Sequence, residues 1–126
     1  MRQLRPGAAM SLWRLAYRRR YATYMRSREW QQRRRAWLRT YRRRHGHEPS
    51  CVVCDRKWTL DHDLHHASYD NLGAERDEDL LPACRGCHEA LHRILDRSRA
   101  WRSMPRPAAT AGIISTLLRA RRPTAS

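Results

Sequence analysis

The stretch 51-CVVCDRKWTLDHDLHHASYDNLGAERDEDLLPACRGCHEALH-92 decides the fold. It carries two Cys-x-x-Cys pairs, Cys51/Cys54 and Cys84/Cys87, and five of the chain's seven histidines: His62, His65, His66, His88 and His92. Two thiolates from each pair complete the four-coordinate shell of one zinc ion and leave no position open for water. The expectation is a structural Zn²⁺ on Cys51, Cys54, Cys84 and Cys87. A redox-active dithiol is the rival reading of the same residues. A chain of 126 residues without phenylalanine buries little apolar surface, so a staple of this kind is needed.

The histidines point to a second cation site. His88 and His92 stand four residues apart, which puts both on one face of a helix. His65 and His66 are neighbours at the end of a presumed strand, where adjacent side chains point to opposite faces. One of the two rings can then bind metal while the other faces a different atom.

Outward from this stretch the charge changes sign. Residues 51–92 carry a net charge of −5, residues 1–50 a net +13, and residues 93–126 a net +7, within a total of +15. Acidic and His-rich ground suits a cation, and basic flanks suit a polyanion, most commonly nucleic acid. All the basic residues but Lys57 are arginine, whose fork matches phosphate in a two-pronged geometry. The pattern divides the chain into a flexible tail (1–10), an arginine-rich helical lead-in (11–50), a core (51–98) and a basic C-terminal tail with a short helix (99–126).

Within the lead-in, residues 11–25 read as one helix, and Ser27 caps a second that runs to Arg44. Trp30, Trp37, Leu38 and Tyr41 fall on one stripe of it, and core packing is their simplest use. Arg33, Arg34, Arg35, Arg39, Arg42 and Arg43 occupy the rest and are the candidate DNA contacts. Leu60–His66 reads as a short strand. Leu80–Ser98 reads as a knuckle running into a helix with Ala90, Leu91, Ile94 and Leu95 buried. After Pro105 and Pro107, Ala108–Ala120 reads as a short apolar helix ending in Arg119, Arg121 and Arg122. Met10 is a candidate start.

Taken in order, Cys51-x-x-Cys54, Leu64-His65-His66-x-x-Tyr69, Leu72-Gly73, Glu75, Asp79-Leu80, Pro82, Cys84-x-x-Cys87-His88 and His92 resemble the zinc-containing branch of the HNH endonucleases. The upstream Tyr24-Met25-x-Ser27-x-x-Trp30 resembles the lead-in such proteins often carry. The resemblance implies an α+β fold with a ββα-metal, treble-clef-like core, in which a hairpin and a helix grip one divalent cation. It implies His65 and His88 as ligands of that cation, His92 as a third, and His66 as general base. The family's middle Asn falls at Asp79, where it fixes the loop that carries the base. An ionised Asp accepts hydrogen bonds but donates none, and Asn71 is a rival for the role. Another register makes Asp61 the ligand and His62 the base.

The activity implied is hydrolysis of DNA phosphodiesters to 5′-phosphate and 3′-hydroxyl ends. Mg²⁺ prefers oxygen ligands, while imidazoles favour Mn²⁺, Ni²⁺ or Zn²⁺, so the working ion is open among these. Arginine-rich flanks would hold double-stranded DNA through its backbone, with strong salt dependence and weak sequence preference. A non-catalytic zinc module that binds nucleic acid explains the cysteines and the charge equally well, but not the four histidines together. An acidic-membrane partner has little support, because the arginine-rich helix lacks a wide apolar face. No apolar run has signal-peptide or membrane-spanning length, so the expected setting is the cytoplasm, as a monomer or homodimer.

Overall fold

The computed structural model describes residues 6–121. Residues 1–5 of the expected tail, and 122–126 with Arg122, lie outside them. The fold is α+β. Its elements are α1 (Pro6–Met25), α2 (Arg28–His45), β1 (Asp63–His66), β2 (Leu80–Ala83), α3 (Arg85–Arg97), α4 (Arg99–Arg102) and α5 (Arg106–Arg121). Among the described residues no helix is long and apolar enough to cross a membrane.

α1 begins at Pro6 rather than at residue 11. Proline serves well in a first helical turn, where its missing N–H would have had no partner. The turn to α2 is built by Ser27. Its Oγ–H donates to Tyr24 O at 2.6 Å, and the same Oγ accepts Trp30 N–H at 3.1 Å as the N-cap. α2 ends one residue beyond the expected Arg44, where Gly46 takes φ 71° and its N–H returns to Arg42 O. The aromatic stripe is core: Trp30, Trp37 and Leu38 are buried with Trp58, Leu64 and Leu80, and Tyr41 packs against them half-buried.

The strand expected at Leu60–His66 is shorter. Thr59–His62 folds into a turn instead, with His62 N–H on Thr59 O, Asp61 N–H on Thr59 Oγ1 and Thr59 N–H on His62 Nδ1. β1 pairs antiparallel with β2, His65 opposite Leu81 and His66 opposite Leu80. Pro82 is tolerated in β2 because a two-stranded sheet has two free edges. The long connection between the strands, residues 67–79, closes through Ala67 N–H to Asp79 O at 2.8 Å.

α3 follows β2 directly. Leu91 is fully buried in it, while Ala90, Ile94 and Leu95 are half-buried. Ser98 ends α3 and caps the single turn α4, which is too short to show a period in the sequence. α5 is longer than expected and is no loose appendage: Ala109, Thr110 and Ile113 are buried. The ring of Trp101 lies so close to Gly112 that a Cβ there would stand 2.5 Å from two ring carbons.

Candidate metal centres and a buried histidine–glutamate pair

The first knuckle turns through Asp55, whose φ of 61° is left-handed, a conformation Asp tolerates better than most residues. Cys51 N–H bonds Arg56 O, and Val52 N–H bonds Pro82 O, which ties the knuckle to β2. The second knuckle straddles the start of α3, with His88 N–H on Cys84 O. All four cysteines are free thiols, with one Sγ each lying within 4.8 Å of the others.

The Cys54 and Cys84 sulfurs are 3.8 Å apart. A tetrahedron with Zn–S bonds of ~2.3 Å has edges of ~3.8 Å. Burial pushes the Cys51 thiol up, but N–H groups of Cys54, Cys84 and Val53 outweigh it and bring its pKa to about 7. Arg56, Arg85 and Arg121 line the cavity beside these sulfurs, as suits the net negative charge of zinc on four thiolates. The four cysteines can hold a structural zinc.

On the neighbouring face of the sheet, His65 of β1 meets His88 and His92 of α3, one nitrogen from each lying within 4.8 Å of the others. His88 Nδ1 lies 3.0 Å from Asp63 Oδ2. The carboxylate accepts only, so that nitrogen carries the hydrogen, and Nε2 is the nitrogen that faces His92. His92 Nε2 stands 3.0 Å from it, an approach that needs a hydrogen or a cation between the two lone pairs. His65 Nε2 meets Thr110 Oγ1 of α5 at 3.2 Å, and its Nδ1 is buried without a partner.

Burial first, then Arg106 and the neighbouring rings, drives the His65 pKa down to about 2. Burial and the adjacent His88 ring bring His92 to about 4. Both rings are therefore neutral at neutral pH, the form that offers a lone pair to a metal. The three histidines could hold a metal ion. His62 is not part of this group. It lines the cysteine cavity, while Asp61 is exposed, so among the described residues the Asp61–His62 register gathers no ligand set.

His66 points the other way, as the strand alternation requires. Its ring lies stacked at 4.9 Å from Trp30 and at 5.4 Å from Tyr69, with Tyr21 edge-on. His66 Nε2 is 2.8 Å from Glu75 Oε2, and both side chains are buried. Glu75 Oε1 accepts Tyr24 Oη–H at 2.7 Å and Gly73 N–H at 3.2 Å. Burial would push the Glu75 carboxyl up; the hydrogen bonds from His66 and Tyr24 overcome it and hold the group below the usual carboxylate range.

Asp79 and Asn71, alternatives in the sequence, meet each other. Asp79 Oδ2 accepts Asn71 Nδ2–H at 3.2 Å and Arg76 N–H at 3.0 Å, closing the 67–79 connection. Burial opposes ionisation of Asp79, but the Arg76 N–H and Asn71 bonds hold its pKa down.

The arginines of α2 divide. Arg33 donates to Glu75 O and pairs with Asp77 at 2.5 Å, and Arg34 donates to the carbonyls of Leu60 and His62. These two hold the core loops. Arg42 pairs with Glu48, while Arg35, Arg39 and Arg43 stand exposed.

Four residues with a place in the site carried no role in the sequence reading. Asp63 and Glu75 orient histidines, and Glu75 stood within the quoted run with no spacing to link it to His66. Thr110 and Arg106 come from α5, where Arg106 donates to His66 O and Tyr69 Oη and lies over the Tyr69 ring at 4.1 Å. Compared with protein-family models, with curated proteins and with solved structures, the chain matches none.

Proposed function

We propose that the protein is a metal-dependent endonuclease of the HNH type that hydrolyses DNA phosphodiesters, with β1, β2 and α3 as a ββα-metal core. The observation that carries this reading is the convergence of His65, His88 and His92 on one point, with a carboxylate-paired His66 on the next residue of the same strand.

His65, His88 and His92 would hold the divalent cation, and Asp63 fixes the tautomer of His88. Bound there, a cation would supply charge stabilisation to the phosphodiester undergoing hydrolysis. His66 takes the proton of the attacking water. Asp79 and Asn71 keep the 67–79 connection closed against β1. Arg35, Arg39 and Arg43 track the phosphate backbone, and Arg33 and Arg34 serve the fold. His65 and His66 are each 1 % exposed, with Thr110 of α5 against His65 and Tyr21 of α1 against His66.

The test is plasmid cleavage across a panel of Mg²⁺, Mn²⁺, Ni²⁺ and Zn²⁺ with a chelator control, comparing wild type with His66→Ala and His88→Ala. Cation-dependent cutting that both substitutions remove, with DNA affinity retained, supports the reading. Cutting that survives His66→Ala refutes the base.

The burial of both rings favours a second reading, a zinc-stabilised module that binds nucleic acid without cutting it. Under that reading no cation gives cleavage, while binding still weakens steeply with salt.

A further inference from the structure

The geometry points to Glu75 as the residue that positions His66, fixing its hydrogen on Nε2 and leaving Nδ1 as the nitrogen that accepts a proton. The inference deepens the nuclease reading and rests on it for its catalytic meaning.

The carboxylate is held from three sides. Tyr24 of α1 and Gly73 of the connection both donate to Oε1, which leaves Oε2 to face His66. Gly73 presents its N–H from φ 93°, a conformation that glycine adopts without strain. The Glu75 backbone is pinned to α2 by Arg33 Nε–H on its carbonyl oxygen at 2.9 Å, and Arg33 also pairs with Asp77. A buried carboxylate with this many fixed donors cannot rotate away from the ring.

The imidazole is equally constrained. Trp30 and Tyr69 stack against it, and Tyr21 closes one edge. An ionised carboxylate accepts hydrogen bonds and donates none. His66 Nε2, 2.8 Å from Oε2, therefore carries the hydrogen. In the neutral ring Nδ1 is then bare, and among the described residues it is, with His65 Nδ1, one of two buried side-chain nitrogens without a hydrogen-bond partner. An unmet lone pair in a fixed ring costs stability unless something else uses it. A water or hydroxyl hydrogen brought to Nδ1 would meet an acceptor already aimed, and the positive charge that develops on the ring would face Glu75.

The test begins with a readout independent of cleavage. Long-range ¹H–¹⁵N correlation on the full-length, zinc-loaded protein at neutral pH reports which nitrogen of His66 is protonated, with His66→Gln identifying its signals. The Nε2–H tautomer is expected, and an Nδ1–H tautomer overturns the inference. In Glu75→Gln the amide can donate as well as accept, so a mixture of tautomers is expected. DNA cleavage should fall by up to about 10⁴-fold, the scale seen when an orienting carboxylate is made an amide. DNA affinity and zinc content should stay at the wild-type level.

An unchanged tautomer in Glu75→Gln also overturns the inference. Should that variant not fold, Tyr24→Phe removes one donor and keeps the carboxylate. The tautomer should then persist while cleavage falls by roughly 10-fold, and unchanged cleavage by an otherwise active protein overturns the positioning role. If the tautomer responds as expected but the wild type cuts no DNA, the Glu75–His66 assignment stands and the nuclease reading falls.

Discussion

Removing zinc from the four-cysteine site should unfold the protein's centre rather than loosen it locally. The perturbation is an excess of a strong chelator or, equivalently, Cys84→Ser. The buried residues around the site are Cys51, Val53, Ala83, Cys84 and Cys87, with Val52, Ile114 and Leu117 packed half-buried against them, so Val53 and Ala83 are the buried members that are not candidate ligands. Burying one valine contributes about 1.5–3 kcal/mol, and a methyl group about 0.8 kcal/mol. A structural zinc contributes roughly 10–16 kcal/mol, in a domain whose whole stability is expected near 5–15 kcal/mol. The ion outweighs the buried Val53 and Ala83 side chains several-fold.

The loss should not stay local. Val52 N–H is bonded to β2, and Leu64 and Leu80 of the sheet belong to the tryptophan core of α2. One cooperative transition is expected, following zinc release measured with a colorimetric indicator. Helical circular dichroism should fall, and fast hydrogen exchange should appear at the amides of Val52, His88 and the sheet. Complete loss of zinc by elemental analysis with an unchanged thermal midpoint and unchanged exchange would refute the staple and leave the cysteines without a structural role.

Two further outcomes follow from packing and charge. Gly112→Ala places a methyl 2.5 Å from the Trp101 ring. Overpacking of about 1–3 kcal/mol should exceed the gain of up to ~1 kcal/mol in helix propensity and lower the melting temperature; a raised one would contradict the close approach of α4 and α5. Asp79 and Glu75 have folded pKa values below their unfolded ones, so their stabilisation is full above about pH 4.5 and is lost as pH falls through the folded values. Asp79→Asn should cost about 1–3 kcal/mol at neutral pH and flatten the acid limb of a denaturation series; an unchanged limb would show that Asp79 does not hold the connection.

What was legible in the sequence is what short-range geometry encodes. The cysteine pairs, the Ser27 cap, the aromatic stripe and the His88/His92 spacing are each written within a few residues, and each fixes a local direction for its side chains. The alternation of His65 and His66 belongs here too, since two neighbours on a strand must part. β2 was hidden because four residues, one of them proline, are too few to show a period.

The harder cases are contacts between distant segments. Glu75 reaches His66 by the curl of a connection whose turns rest on Asn71, Gly73 and Arg76, and no periodicity announces where such a loop will aim a side chain. Arg33 and Arg34 look identical in sequence to Arg35, yet a helix rotation of 100° per residue decides that the first two meet core carbonyls and acids while the third meets solvent.

α5 is the clearest instance. Ala108–Ala120 is small and apolar on nearly every side, so its sequence marks no buried face. Only the fold brings Thr110 to His65, 45 positions apart in the chain. A helix of that composition suits its place because small side chains allow close approach to the sheet, to Trp101 and to the histidines together. The basic residues at its ends then fall at the two candidate centres, Arg106 beside His66 and Arg121 beside Cys87. A segment that reads as a tail thus reaches both, with Arg106 at one end and Arg121 at the other.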